Sequence, residues 1–278
     1  MLERFDPALR KRLVSAVVMA AIALAGVVQG GWAFAALVAL ASAAMAAEWG
    51  RLVGTIARRD TGSSGAYDPL ALGLALAAPL AGIALALSCL PWLALAVPLA
   101  LAALGLGLCR QRGAGAAWLV VLGPVYLGLP AVALIWLRAV DEGGMSLVVW
   151  LFVVIWTTDT AAYFVGRTLR GPKLAPAISP GKTWSGAVGG TIAAAIASLL
   201  VVRITGGVAW AAPIAVVVSA VGQAGDLFES WIKRLAGAKD SGTLIPGHGG
   251  ALDRLDAMLW AAPALALIVA LLGEDLLT

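Results

Sequence analysis

The sequence predicts an all-α, polytopic transmembrane helical bundle of about nine spans. Three observations carry this. Hydrophobic residues make up 62% of the 278 and charged residues only 12%, the mean hydropathy is +0.96, and apolar runs recur at the length of one bilayer crossing. That composition excludes an ordinary soluble domain. The 33 glycines show no period of three, which excludes collagen. Runs such as Leu70 to Ser88 are apolar on every face and lack the alternation of a transmembrane β-strand. Abundant Gly and Ala suit helices that approach closely in lipid.

Taken in order, the first span, 13–29, follows the basic segment Arg10-Lys11-Arg12 and reads as an uncleaved signal anchor, because further spans succeed it. A second span covers 31–47. Residues 48–69 read as a flexible Gly/Ser linker with a basic start and no chemistry of its own. Spans follow at 70–88, 91–108, 118–137, 145–166, 186–202, 208–225 and 257–273. Cys89 and Cys109 fall at opposite ends of one predicted helix, too far apart to be bridged. Residues 1–140 are expected to form N-terminal transmembrane scaffold helices, and 145–278 a C-terminal catalytic region with loops 167–185 and 226–256.

Orientation follows from the basic residues, which short cytoplasmic loops retain. With the N-terminus inside, 17 of the 19 Lys and Arg residues fall on the cytoplasmic side, leaving Arg138 and Arg203 outside. The net charge of +4 is thereby explained by topology and calls for no nucleic-acid partner. Loops 167–185 and 226–256 share the cytoplasmic face, and they concentrate the Lys, Arg, Asp, Ser, Gly and Pro of the C-terminal half.

Two cysteines and one histidine cannot supply the common zinc or iron–sulfur ligand sets. Any metal must then be held by carboxylates, which points to a hard cation such as Mg²⁺. Asp159 stands within an apolar segment beside Thr157, Thr158, Thr160 and Tyr163. A carboxylate there costs about 2.5–3.5 kcal/mol on insertion scales, so a cation, cavity or hydrogen-bonding partner is implied. The stretch KLAPAISPGKTWSG, 173–186, invites comparison with a phosphate-binding P-loop, but the first glycine of that pattern falls on Pro176 and no strand precedes it. What remains is a turn carrying Lys182 into an apolar helix, an arrangement favourable to an anion and most simply to phosphate.

The richest stretch is GDLFESWIKRLAGAKDSGTLIPGHGGALDRLDAM, 225–258. Asp226, Ser230 and Lys233 share one helical face by i, i+4 and i+7 spacing, and Asp253 and Asp256 share another by i, i+3. Like charges gathered at a membrane surface call for a cation, and Lys233, Arg234, Lys239 and Arg254 between them complement a polyphosphate. Acids for metal and bases for phosphate make a phosphoryl- or nucleotidyl-transfer site. Gly247, Gly249 and Gly250 around His248 permit a tight loop that brings backbone close to a ligand.

These residues resemble the signature of the phosphatidate cytidylyltransferases, or CDP-diacylglycerol synthases. It stands here as Ser230-Trp231-Ile232-Lys233-Arg234, Lys239-Asp240 and His248-Gly249-Gly250-Ala251-Leu252-Asp253-Arg254-Leu255-Asp256. Asp159 to Tyr163, and Ser179-Pro180 with Lys182-Thr183-Trp184, are similar to the family's nucleotide-side segments. The chain departs from the family pattern at Gly181 and at Ser185-Gly186. The resemblance covers roughly 155–256.

It implies the reaction of CTP with phosphatidate to give CDP-diacylglycerol and pyrophosphate, in a bacterial-type cytoplasmic membrane. It further implies Lys233, Arg234, Lys239, Asp240, His248 and Arg254 as catalytic, and Asp159, Tyr163, Ser179, Lys182, Thr183 and Ser230 as substrate-binding. Asp226, Asp253 and Asp256 would bind Mg²⁺. The resemblance alone adds potassium as a second cation and a homodimer. A CDP-alcohol phosphotransferase would show a compact DG…AR…G…D…D run, which is absent. A transporter would show internal repeats and helices broken in both halves.

Overall fold

The computed structural model describes residues 7–61, 67–88, 91–109, 114–141, 143–205, 211–245 and 249–273. Among them run the helices α1 (Pro7–Gln29), α2 (Gly31–Thr61), α3 (Pro69–Leu87), α4 (Pro91–Leu108), α5 (Ala114–Ala139) and α6 (Gly144–Leu169). A hairpin of β1 (Lys173–Ala175) and β2 (Ser179–Thr183) follows, and then α7 (Trp184–Thr205), α8 (Ala211–Leu235) and α9 (Leu252–Leu272). The boundaries have local causes. Gly30 and Gly31, at φ 63° and 47°, break α1 from α2, since this left-handed backbone suits glycine. Pro69 opens α3, whose N-cap Asp68 accepts from the Ala71 N–H at 2.9 Å.

Seven of these helices are long and apolar enough to cross a membrane: α2, α3, α5, α6, α7, α8 and α9. The expectation of about nine spans is thus not confirmed among the described residues. The apolar stretches of α1 and α4, Val14–Gln29 and Leu93–Leu108, are the exceptions.

Two local expectations are corrected. Residues 48–61 are the last turns of α2 and not a linker, because Glu48, Trp49, Leu52, Val53 and Ile56 continue its buried face. The Ser-Pro-Gly-Lys-Thr segment is an antiparallel strand, with Lys173 opposite Thr183 and Ala175 opposite Ser179. The carbonyl of Pro172 receives the N–H of Trp184 at 3.0 Å.

The chain forms two compact units. One comprises Met1–Ile135 with Leu235–Leu255, the other Trp136–Arg234 with Asp256–Thr278. Within the first, buried Trp49 donates to the Leu119 carbonyl at 3.2 Å and stands 5.2 Å from the Tyr126 ring. Within the second, α6 and α7 pack so closely that a Cβ on Gly190 would fall 2.7 Å from the Thr158 carbonyl oxygen. Such small-residue contacts let backbones meet where lipid offers no hydrophobic driving force. Buried hydroxyls lock the same unit: Thr158 Oγ1 donates to Ser219 Oγ at 2.9 Å and Trp150 Nε1 to Ser198 Oγ at 2.8 Å.

Candidate functional site

The second unit gathers acids and bases at the C-terminal end of α8. Lys182, carried by β2, places its Nζ 2.5 Å from Asp226 Oδ2, with each side chain about 27% exposed. Ser230 Oγ lies 3.5 Å from Asp226 Oδ1, one helical turn on. Arg234 donates from Nε to the Ile178 carbonyl in the hairpin at 3.1 Å, tying the end of α8 to the strand that bears Lys182. Asp256 lies within electrostatic reach of Asp226, Glu229 and Asp159. This unit therefore concentrates four carboxylates.

Lys233 is buried and paired with Glu229 at 2.5 Å, where the sequence placed it on the face of Asp226 and Ser230. Glu229 is itself only 2% exposed. Such a pair is retained only with good geometry, since removing one partner leaves a buried charge. Asp159 is exposed on α6. Tyr163 is exposed too, and its hydroxyl receives Arg167 Nη1 at 2.8 Å. Ser179 begins β2, and buried Thr183 caps α7 by accepting from the Gly186 N–H at 3.1 Å. Ser185 Oγ bonds Thr183 Oγ1 at 3.1 Å and the Arg170 carbonyl, so it closes the hairpin.

The first unit holds a second polar centre. Lys239, Asp240 and Arg254 are exposed around the segment that leads into α9. Asp253, buried in the first turn of α9, accepts at Oδ2 from Ser241 N at 2.9 Å and Gly250 N at 2.8 Å, with Ser241 Oγ standing 3.0 Å away. Ile245 donates its N–H to the Gly249 carbonyl at 2.9 Å, and Gly249 sits at φ 84°. His248 lies outside the described residues.

Glu48 of α2 was not anticipated. Its Oε1 accepts from Ala251 N and its Oε2 from Leu252 N and Ser241 Oγ, each at 2.9 Å. The signal was present in the sequence as one acid inside the apolar run that ends in Trp49. Arg59, eleven positions after Glu48 on α2, donates to the Leu235 carbonyl at 3.1 Å.

Among the described residues, no three His, Cys, Asp or Glu side chains stand close enough to enclose a metal ion. A cation such as Mg²⁺ needs no such group, being usually bound by one or two carboxylates together with water and substrate phosphates. The oxygen-only donors of Asp226 and Asp256 fit such a cation.

The family model described as the cytidylyltransferase family matches residues 10–272. The chain is 50% identical over 171 residues to a phosphatidate cytidylyltransferase of Brucella suis biovar 1 (strain 1330), covering 60% of this chain and 62% of that protein. It is 40% identical over 155 residues to one of Bacillus subtilis (strain 168), covering 55% and 58%. A Haemophilus influenzae protein of the same name is 40% identical over 131 residues, covering 43% and 44%. The matched stretch thus spans less than two-thirds of the length of each of these three relatives.

Proposed function

Because the chain belongs to the cytidylyltransferase family, we propose that it is an integral membrane nucleotidyltransferase converting CTP and phosphatidate to CDP-diacylglycerol and pyrophosphate. The observation that carries this reading is the Lys182–Asp226 pair at 2.5 Å within a cluster of carboxylates. It joins a phosphate-binding base to a cation-binding acid. The names of the relatives support the choice of substrates.

In this reading a phosphate oxygen of phosphatidate attacks the α-phosphorus of CTP in line, and the bond to the β-phosphate breaks to release pyrophosphate. The attacking oxygen is already anionic, so no strong general base is required. Mg²⁺, when bound by Asp226 and Asp256 with Asp253 one turn earlier on α9, supplies charge neutralisation on the nucleotide phosphates. Lys182 exchanges Asp226 for a nucleotide phosphate, while Arg234, Lys239 and Arg254 offset the charge of the leaving pyrophosphate. Lys233 holds Glu229, Asp240 precedes Ser241, and His248 hydrogen-bonds phosphate or fixes the loop. Ser179, Thr183, Ser230, Asp159 and Tyr163 line the nucleotide side. Catalysis is then chiefly positioning and electrostatic stabilisation.

The active face is cytoplasmic, as the basic-residue bias supports. The resemblance adds a potassium ion and a homodimer to the proposal. The lipid enters between helices with its acyl chains in the bilayer.

The test is direct. Purified protein with phosphatidate in mixed micelles, α-labelled CTP and Mg²⁺ should place label in the organic phase with equimolar pyrophosphate. Absence of labelled lipid would overturn the reading and favour a transporter.

A further inference from the structure

Glu48 is only 3% exposed, in a helix whose neighbouring residues are apolar. A carboxylate so placed is unfavourable unless donors compensate it. Here both oxygens are used: Oε1 takes the Ala251 N–H, and Oε2 takes the Leu252 N–H and the Ser241 hydroxyl, all at 2.9 Å. The two amides open α9, where the helix dipole favours negative charge. Glu48 therefore caps a helix that begins more than 200 residues away.

The Ser241 hydroxyl also stands 3.0 Å from Asp253 Oδ2. One hydroxyl thus lies between the Glu48 carboxylate and that of Asp253, whose Oδ2 is also held by the Ser241 and Gly250 N–H groups. The surrounding backbone is fitted to Glu48. A Cβ on Gly242 would fall 2.7 Å from Oε1, and one on Gly250 would fall 2.5 Å from both oxygens. Two further consequences follow. The Ala251 and Leu252 amides at the start of α9 are occupied, so they are not open to a bound anion. A neutral amide in place of Glu48 would turn one acceptor into a donor facing an N–H or the serine hydroxyl.

We propose that Glu48 is a positioning residue, holding residues 239–245 and 249–254 in the one geometry that presents Lys239, Asp253 and Arg254 to the substrate. The inference rests on the cytidylyltransferase reading. It assigns to an N-terminal helix a share in a reaction whose recognisable residues all lie C-terminal to it.

The test compares Glu48→Gln, Glu48→Asp and Asp253→Asn with wild-type protein in detergent. Thermal unfolding, Mn²⁺ affinity by electron paramagnetic resonance, and kcat and KM for CTP are measured on each. Supporting groups behind a site typically carry 10- to 100-fold effects. Glu48→Gln should lower kcat or Mn²⁺ affinity by about that factor, with a monodisperse, cooperatively unfolding protein. Glu48→Asp keeps the charge but is one methylene shorter, and should fall between the two. Combining Glu48→Gln with Asp253→Asn should cost less than the product of the single losses.

Wild-type kcat and Mn²⁺ affinity in folded Glu48→Gln would overturn the proposal, as would fully multiplicative losses. A merely structural Glu48 would lower the unfolding temperature and leave the kinetics of the folded fraction unchanged, which also overturns it. Loss of turnover in Glu48→Gln beside a normal Asp253→Asn would sustain it through Lys239 and Arg254. A wild-type protein that makes no CDP-lipid would sink the cytidylyltransferase reading, while the Mn²⁺ affinities would still report on Glu48.

Discussion

Replacing Lys182 by alanine separates a stabilising ion pair from a substrate contact. The ammonium lies 2.5 Å from Asp226 Oδ2, and both side chains are about 27% exposed. Partly solvated pairs contribute roughly 0.2–1 kcal/mol, so Lys182→Ala should unfold within a few degrees of wild type. A hydrogen bond to a charged phosphate is worth about 1.5–3 kcal/mol. At 1.36 kcal/mol per decade this corresponds to a loss of about 10- to 150-fold in kcat/KM for CTP. Lys182→Arg should recover only part of it, since the planar guanidinium differs from a compact ammonium. The same substitution frees Asp226 from its internal cation, so Mn²⁺ affinity without CTP should rise. Initial rates of label transfer at varied CTP, with Mn²⁺ titrated separately, measure both effects. A kcat/KM within about twofold of wild type and an unchanged Mn²⁺ affinity would refute the reasoning and leave Lys182 a surface residue.

Asp226→Asn and Asp256→Asn should each reduce turnover by about 100-fold or more and raise the Mg²⁺ concentration for half-maximal rate, because the amide lacks the charge a hard cation requires. Normal rates at limiting Mg²⁺ would move the cation elsewhere. Gly250→Ala places a methyl against Ser241 Oγ and both Glu48 oxygens. It should cost about 1–3 kcal/mol and most of the turnover, read by thermal unfolding and by the transfer assay. Wild-type values of both would show that the loop yields. Reporter fusions after Arg59 and after Lys239 should both report cytoplasm, since Arg59 reaches the Leu235 carbonyl at 3.1 Å; opposite sides would contradict this packing.

Several features were legible without coordinates. The all-helical class, most helix positions and the polar character of 226–256 follow from composition and apolar run length, which are local properties. The signature from Ser230 to Asp256 likewise lies in contiguous sequence. Local reading failed where a short-range rule was read too broadly. Glycine and serine near 62–65 suggested a linker that began too early, although α2 continues to Thr61. Two apolar stretches counted as spans, in α1 and α4, are not among the seven candidate crossings of the described residues.

The sequence by itself determined that the chain is helical, apolar and a member of its family, because periodicity, hydropathy and contiguous motifs survive without knowledge of packing. The tertiary structure alone decided that Lys182 meets Asp226, that Lys233 turns to Glu229, and that Glu48 caps α9 across the length of the chain. Each of these is a choice of partner by a charged group. A charge withdrawn from water must find its complement wherever the folded helices place one, and residue spacing along the chain does not encode that position.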